Sequence, residues 1–296
     1  MRRWPVHPAR PQTPPASEAR KQSARVLLAV AHGSRDPAAQ QCILSLTSRV
    51  ARSADGVTVR TAFVQNAQPS LADGMDDAAT LAGADGVVVV PLLLSSGYHL
   101  SSDIAGAARA AGVPVARPLG PDARLVRALS DRLREAGVPG QVPVVLATAG
   151  SSDPRALADT RRQAAMLAAH RHAPVVAGFA TAARPTVDEA VAFLADVTGQ
   201  PVAVAAYLLA PGLFHDRLRL STGTWVSGPI GDHPAVAEPV QYQFRDGRRR
   251  RGAAEPVRGW HRPRDGRLDG GCLWRSTTEC VRRTSAISVP AGPGSR

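Results

Sequence analysis

The chain alternates short apolar runs with longer segments in which apolar residues recur at helical spacing. The clearest run is 87–94, where four valines and three leucines, with one proline between them, follow one another without a polar residue. Such a run is typical of a strand that is buried on both faces, as in a parallel sheet covered by helices. Similar apolar segments at 25–31, 57–64 and 113–118 predict three more strands.

Helices are predicted between these strands, because helix start signals and apolar periodicity coincide there. Asp36 followed by Pro37 combines a cap with proline at the first helical position, and it predicts a helix to about Arg52. Further helices are predicted over 70–82, over 104–111 after a cap at Asp103, and over 122–136. The alternation of strands and helices predicts an α/β fold with a parallel sheet that is covered on both faces.

After a linker at 137–140 the pattern repeats. Three segments of the first half recur in the second half in the same order. The pairs are 32–37 with 149–154 at an offset of 117, 62–71 with 178–187 at 116, and 91–97 with 206–212 at 115. A nearly constant offset indicates internal duplication. It predicts two similar domains, each a parallel β-sheet flanked by helices.

Two histidines follow strands of the first half. His32 comes directly after the strand at 25–31, and His99 follows the strand at 87–94 after a loop of two serines and a glycine. Ligands of open α/β sheets bind at the carboxyl ends of the strands, and both histidines are expected above that edge. Each histidine alone is as well explained by a structural role in a turn. The second copy has Ala149 and Phe214 at these positions, so one half is expected to carry the chemistry and the other to supply a wall.

Together the two imidazoles predict a partial metal site. Neutral imidazole suits a borderline divalent metal such as Co²⁺, Fe²⁺, Ni²⁺ or Zn²⁺. Two ligands leave coordination positions open, which suits a metal that is handed on better than a structural ion with a closed shell. Near neutral pH an imidazole also accepts and releases protons.

The predicted organisation has four parts. Residues 1–23 are expected to be a disordered leader, 24–136 the domain that carries the site, 141–245 a second domain without the site histidines, and 246–296 a disordered basic tail. The helix that starts at Pro234 is expected to break at Pro239. Because no apolar periodicity follows, we hypothesise that the tail is an out-of-frame translation of the coding sequence.

Charge and cysteine content exclude several classes of protein. The formal charge of +12 lies in the flanks, since 24–245 holds nineteen arginines against eighteen acids. This argues against a nucleic-acid-binding face on the folded part. The three cysteines form neither a disulfide framework nor a zinc motif. With no secretory signal and no apolar run of membrane-spanning length, we expect a soluble, cytoplasmic monomer that binds no membrane.

Three segments with characteristic order and spacing carry a resemblance to a known family. They are His32-Gly33-Ser34-Arg35-Asp36-Pro37, then Ala62-Phe63-Val64 with Pro69-Ser70-Leu71, then Pro91 through Gly97-Tyr98-His99 with Asp103-Ile104. They resemble the sirohydrochlorin chelatases, specifically the two-domain, class II cobalt and iron chelatases. The resemblance covers about 24–240.

The resemblance implies two similar α/β domains around a cleft that takes a tetrapyrrole. It implies a lyase that inserts Co²⁺ or Fe²⁺ into sirohydrochlorin, for cobalamin or sirohaem biosynthesis, with the metal as substrate and without ATP or another nucleotide. His32 and His99 would bind the incoming metal and take protons from the pyrrole nitrogens. The sequence does not choose between iron and cobalt, because both metals accept imidazole.

One position departs from the pattern of that family, which often has an acidic residue in the loop after the second strand. Here the loop holds Gln65 with Asn66 beside it. An amide cannot act as a base, so either two histidines suffice or the activity is altered. A non-catalytic tetrapyrrole or metal carrier is therefore the alternative function.

Further residues are expected to contact the substrate, which is a polycarboxylate. Arg35, Ser34 with the helix amino end near it, and Ser101 or Ser102 are plausible partners for some of its carboxylates. Tyr98 either stacks on the macrocycle or packs in the core. His215 and His233, which lie in the second half, could approach the cleft, but structural roles are the favoured prediction for both. Cys42 is expected to lie in the core.

Overall fold

The computed structural model describes residues 24–252, apart from the side chains of residues 98–101. The elements are β1 (Val26–Ala31), α1 (Pro37–Arg52), β2 (Thr58–Phe63), α2 (Leu71–Gly86), β3 (Val87–Pro91), α3 (Tyr98–Ala110), α4 (Ala123–Glu135), β4 (Val144–Thr148), α5 (Pro154–Arg171), β5 (Val175–Phe179), α6 (Val187–Thr198), β6 (Ala203–Ala206), α7 (Leu213–Arg219), β7 (Trp225–Val226) and α8 (Pro234–Gly252). This order confirms the predicted α/β class and its duplication. The expected leader at 1–23 lies outside the described residues.

Each half forms its own parallel sheet. The strand order is β2-β1-β3 in the first half and β5-β4-β6-β7 in the second. In the central pairs Val30 lies beside Pro91, and Ala147 lies beside Ala206. These pairs stand at the offsets of 117 and 115 that the sequence repeat shows, so the duplication extends to strand register.

Strand β1 is buried on both faces because all six of its residues are apolar. Leu27 and Ala29 belong to a cluster that runs through the middle of the molecule. Val26, Leu28 and Val30 point the other way, into a cluster beneath α2 and α3. Burying one large side chain of this kind contributes roughly 1.5–3 kcal/mol, so the apolar run itself holds the strand in the centre of the sheet.

The last helix of each half packs against the other half. Helix α4 packs against α5 and β6, and α8 packs against α1, α4 and β3. Gly247 lets α8 approach β3 closely, since a Cβ at this position would lie 2.8 Å from Cγ1 of Val88. One buried cluster therefore joins both halves, and a simple division at the 137–140 linker does not describe the packing.

Helix α8 runs through Pro239 to Gly252, so the prediction that this proline ends the helix is wrong. The disordered tail was also predicted to begin too early, because residues 246–252 are helical. Pro239 removes one backbone hydrogen bond near the amino end of the helix, whereas Val236, Val240 and Phe244 are buried against the rest of the fold. Tertiary burial of this face outweighs the lost hydrogen bond. Residues 253–296 lie outside the described residues.

Two smaller predictions are also corrected. Residues 113–118 form a single bridge, between Val89 and Val115, instead of a strand, because prolines at 114 and 118 have no N–H to donate to a ladder. Helix α3 begins at Tyr98, with Gly97 as its N-cap, and not after Asp103. No glycine or proline interrupts 98–103, so the helix extends back to Gly97. Between residues 24 and 252, no helix has both the length and the hydropathy to cross a bilayer.

Candidate active site

A cleft of about 290 Å³ separates the two halves at the carboxyl ends of β1 and β6. One wall comes from the loop after β1, which contributes His32, Gly33 and Ser34. The other wall comes from the segment 208–215, which follows β6 and enters α7. The remaining lining is mostly apolar and includes Phe63 and Leu92, so the cleft can cover an apolar surface of a bound molecule.

The backbone around Gly33 fixes the position of His32. Gly33 has φ +95°, and a Cβ at this position would lie only 1.7 Å from the carbonyl oxygen of Gln65. The Gln65 N–H donates to the carbonyl oxygen of His32 at 3.0 Å. The loops after β1 and β2 therefore touch through their backbones, and only glycine fits this contact. As a result the exposed His32 side chain stands at the carboxyl edge of the sheet.

The side chain of Gln65 contacts the His32 ring. The two Nε2 atoms lie 2.9 Å apart, so the Gln65 amide donates to a lone pair on the imidazole. In this arrangement the neutral ring carries its proton on Nδ1. A cation that binds His32 through Nε2 must first displace the amide. A carboxylate in place of the amide would instead accept a hydrogen bond from Nε2–H, and the ring would carry its proton on Nε2.

Helix α3 begins at the same edge of the sheet as His32, because β1 and β3 are adjacent parallel strands. Tyr98, His99 and Ser101 lie in the first turn of this helix. Their side chains lie outside the described residues, so the pairing of His99 with His32 stays a prediction. Among the described side chains, no three His, Cys, Asp or Glu residues come together as a metal site.

Ser34 and Arg35, the other predicted contact residues, differ in position. Ser34 is half-buried in the cleft wall, where its Oγ accepts the N–H of Asp36 at 3.1 Å and its carbonyl oxygen accepts from Gln40 Nε2 at 2.7 Å. Arg35 is exposed beside the cleft and does not line it. A bound molecule would therefore meet Ser34 first, whereas Arg35 is placed for groups at the rim.

His215 lies in the cleft opposite His32, although a structural role was the favoured prediction for it. Its Nε2 donates to the carbonyl oxygen of Ser227 at 3.1 Å, which leaves Nδ1 with a lone pair in the neutral ring. In the sequence it stands one place after the position that matches His99. Its place in the first turn of α7 is a signal that could have drawn attention to it.

His233 is a helix cap. Its Nδ1 accepts the N–H of Ala235 at 3.2 Å, and its Nε2 lies 3.2 Å from Oδ2 of Asp131. Burial lowers the pKa of His233 although the nearby Asp131 carboxylate acts in the opposite direction. A neutral ring is what this capping contact requires, so the structure gives His233 a role in holding α8.

The second half repeats the geometry of the site without its imidazoles. Gly150 has φ +98°, and the N–H of Thr181 donates to the carbonyl oxygen of Ala149 at 2.9 Å. The Thr181 hydroxyl also donates to that oxygen, at 2.8 Å. Ala149 and Thr181 thus stand where His32 and Gln65 stand in the first half, and neither of these two side chains is an imidazole or a carboxylate.

Comparison with known proteins finds one family model and several relatives that match most of the described residues. The family model CbiX matches residues 26–136 and again 143–247, which are the two repeats. The sirohydrochlorin ferrochelatase of Bacillus subtilis is 29% identical over 241 residues, covering 75% of this chain and 91% of that protein. The sirohydrochlorin cobaltochelatase of Priestia megaterium is 27% identical over 244 residues, covering 75% of this chain and 79% of that protein.

The solved structure of SirB from Bacillus subtilis with Fe³⁺ has a similar fold. It aligns with a TM-score of 0.65 and 26% sequence identity, and it covers 78% of this chain and 98% of that chain. These matches confirm the resemblance inferred from the sequence motifs and the chelatase-like fold of both halves.

Proposed function

This chain belongs to the CbiX family of sirohydrochlorin chelatases, and from that premise we propose that it inserts Co²⁺ or Fe²⁺ into sirohydrochlorin without a nucleotide. The observation that carries the proposal is His32, held by a glycine turn at the edge of the interdomain cleft. The family match makes sirohydrochlorin the substrate to test first. The product would feed sirohaem synthesis with iron, or cobalamin synthesis with cobalt, in the cytoplasm.

Insertion exchanges two N–H protons of the macrocycle for one dication. The protein must therefore hold the metal and accept protons close to the ring. We assign both tasks to His32 and His99, since neutral imidazole is a metal ligand and also a base near neutral pH. A cation near the ring also makes the pyrrole nitrogens more acidic, so metal delivery and proton removal support each other.

Gln65 acts on His32 in this proposal. Its amide holds the ring through Nε2 and must turn away when the metal arrives. An amide takes up no proton, so the second proton passes to the other imidazole or to water. We therefore expect proton removal to be slower than in a variant with a carboxylate at this position.

The substrate contacts follow from the cleft walls. The apolar lining covers the macrocycle, and the half-buried Ser34 meets its edge. Arg35 at the rim, with Tyr98 and Ser101 in the first turn of α3, completes the set that we propose for the peripheral carboxylates and the ring.

The test is anaerobic incubation of purified protein with sirohydrochlorin and either Co²⁺ or Fe²⁺, followed by absorbance. We expect insertion faster than without protein, and a rate near the uncatalysed one for the double variant His32→Ala with His99→Ala. His170→Ala is the matched control, because His170 is an exposed histidine at the end of α5. Equal rates for wild type, double variant and the protein-free sample would reject the proposal.

A tetrapyrrole or metal carrier is the second candidate, and the Gln65–His32 hydrogen bond favours it, because it occupies a metal-binding lone pair and supplies no base. A carrier would bind sirohydrochlorin or Co²⁺ tightly without accelerating insertion. Gln65→Glu separates the two candidates. A gain in insertion rate would show that the protein is a chelatase limited by the missing carboxylate, whereas binding without any turnover in both forms would favour the carrier.

A further inference from the structure

The loop that leads from β3 into helix α3 is held by side chains of the other half. Tyr207, just after β6, donates its hydroxyl hydrogen to the carbonyl oxygen of Leu94 at 3.0 Å. Asp159, on α5, accepts the N–H of Ser96 on its Oδ2 at 3.0 Å. These bonds end two residues before α3 begins, so the second half fixes the direction in which this helix leaves the sheet.

Gln163 braces the same contact from behind. Its Oε1 accepts the N–H of Asp122 at 2.8 Å and the Tyr207 hydroxyl at 3.4 Å, and its Nε2 donates to the carbonyl oxygen of Asp122 at 3.2 Å. Gln163 and Tyr207 are both buried. Burial and the nearby carboxylates raise the pKa of Tyr207 well above its ordinary value, so the hydroxyl stays a donor. At Gly120 a Cβ would lie 2.1 Å from the Tyr207 oxygen, and only a glycine leaves room for it.

The matching positions of the first half lack this arrangement. Cys42 matches Asp159 at the offset of 117, and its thiol donates weakly to the carbonyl oxygen of Leu209 at 3.3 Å. Leu46 and Leu92 stand where Gln163 and Tyr207 stand in the second half. Pro211 matches Ser96 and has no N–H to donate. Two polar side chains, Asp159 and Tyr207, therefore bond to the loop before α3, and Gln163 supports them from behind. The loop before α7 has the Cys42 thiol in their place.

We propose that Asp159, Gln163 and Tyr207 form a clamp that positions the metal-binding edge, by fixing the Leu94–Ser96 loop from which α3 carries His99. The proposal rests on the proposed function, in which His32 and His99 share one cation. The three residues are positioning residues, because none of them lines the cleft. The second half thus contributes to metal binding although it has no imidazole in the matching positions.

The physical reason is preorganisation. His32 and His99 are on different loops, so a shared cation binds tightly only if both loops are already in place. A loop with two fewer hydrogen bonds populates more conformations, and the binding-competent fraction falls in proportion. For loss of a single clamp contact we expect an affinity for Co²⁺ that is about tenfold lower, the scale typical of residues that orient metal ligands.

The experiment titrates the full chain with CoCl₂ alone and follows the visible absorption of bound Co²⁺. Tyr207→Phe removes only the hydroxyl, Asp159→Leu removes the acceptor, and Asp159→Asn keeps an acceptor oxygen. Thr160→Val is the control on the same helix, because Thr160 is buried and its hydroxyl donates to the carbonyl oxygen of Ala156 within α5. Hydrogen exchange of the Ser96 amide is measured in parallel.

We expect weaker Co²⁺ binding and faster Ser96 exchange in Tyr207→Phe and Asp159→Leu, rescue in Asp159→Asn, and wild-type binding in Thr160→Val. Wild-type affinity in Tyr207→Phe and Asp159→Leu would overturn the clamp. An equal loss in Thr160→Val would also overturn it, because the effect would then be general destabilisation. Because the probe is the metal alone, Co²⁺ that binds through His32 without any insertion would refute only the proposed enzyme activity.

Discussion

The two halves of this protein share their backbone turns and differ in the side chains that those turns present. Gly33 and Gly150 have φ +95° and +98°, and a Cβ at either would collide with the carbonyl oxygen of the next loop, that of Gln65 or Thr181. The first turn holds His32, whereas the second holds Ala149. Scaffold and chemistry are therefore separable in this fold, because the duplicated backbone persists where the imidazole is absent.

The halves also differ in what each gives to the other. Side chains of the second half bond to the loop before α3 through the buried Tyr207 and the half-buried Asp159. The first half bonds to the loop before α7 through the Cys42 thiol, whose pKa burial raises to about 11. A thiol with so high a pKa stays neutral, and its hydrogen bond to Leu209 is weak. The stronger hydrogen bonds therefore hold the loop that precedes α3, the helix that carries His99. The predictions below test this difference between the two halves.

The largest expected effect comes from the two cleft histidines. We expect His32→Ala to lower the insertion rate by at least about 100-fold, the usual loss for a general base. His215→Ala should cost less than about tenfold, because the proposed mechanism assigns metal binding and proton removal to His32 and His99 and not to His215. Initial rates at saturating metal give both values. Equal losses would mean that the second half carries as much of the chemistry as the first.

The next largest effect is on stability. Gly33→Ala and Gly150→Ala should each lower the free energy of unfolding by about 1–3 kcal/mol or more, because both combine a left-handed φ with a backbone collision. Urea unfolding measures the loss. Only Gly33→Ala should also weaken Co²⁺ binding, because only that turn holds an imidazole. A Gly150→Ala protein with the wild-type free energy of unfolding would contradict this prediction, because the second turn would then accept a Cβ without cost.

A smaller effect is expected at the helix caps that the two halves share. Ser70 on α2 and Thr186 on α6 each form a capping box with an acid three residues later. Ser70→Ala and Thr186→Ala should each cost about 1 kcal/mol of stability. Insertion rates should stay at the wild-type level in both. A loss of activity confined to Ser70→Ala would extend the chemical difference between the halves to this helix.

The smallest effect concerns pH. The helix caps of α4 and α8 are Asp122 and His233, and the folded state lowers the pKa of His233 below its ordinary 6.5. The unfolded chain then binds the proton more readily, so stability is full above pH 6.5 and declines as the pH falls below it. His233→Asn keeps a capping oxygen without a titrating ring. We expect its unfolding free energy to fall less between pH 7 and 5 than that of the wild type, and an equal slope would contradict this role.

Local signals predicted much of the fold. Apolar runs predicted β1 and β3, and Asp36 with Pro37 predicted the start of α1, because these depend on neighbouring residues only. The same reasoning failed at Pro239 and at the start of α3. In the first case burial against the other half decides the outcome. In the second case no glycine or proline lies in 98–103, so the helix extends back through this segment and begins after Gly97.

The amino-acid sequence by itself determined the duplication, the buried strands β1 and β3, the family, and the positions of His32 and His99 after strands of the first half. Only the tertiary structure decided that α4 and α8 each pack against the other half, that His215 lies in the cleft, and which residues Tyr207 contacts. The Tyr207 hydroxyl and the Leu94 oxygen are 113 positions apart in the chain. No local pattern encodes such a contact, because it exists only when the two sheets are packed around a common core.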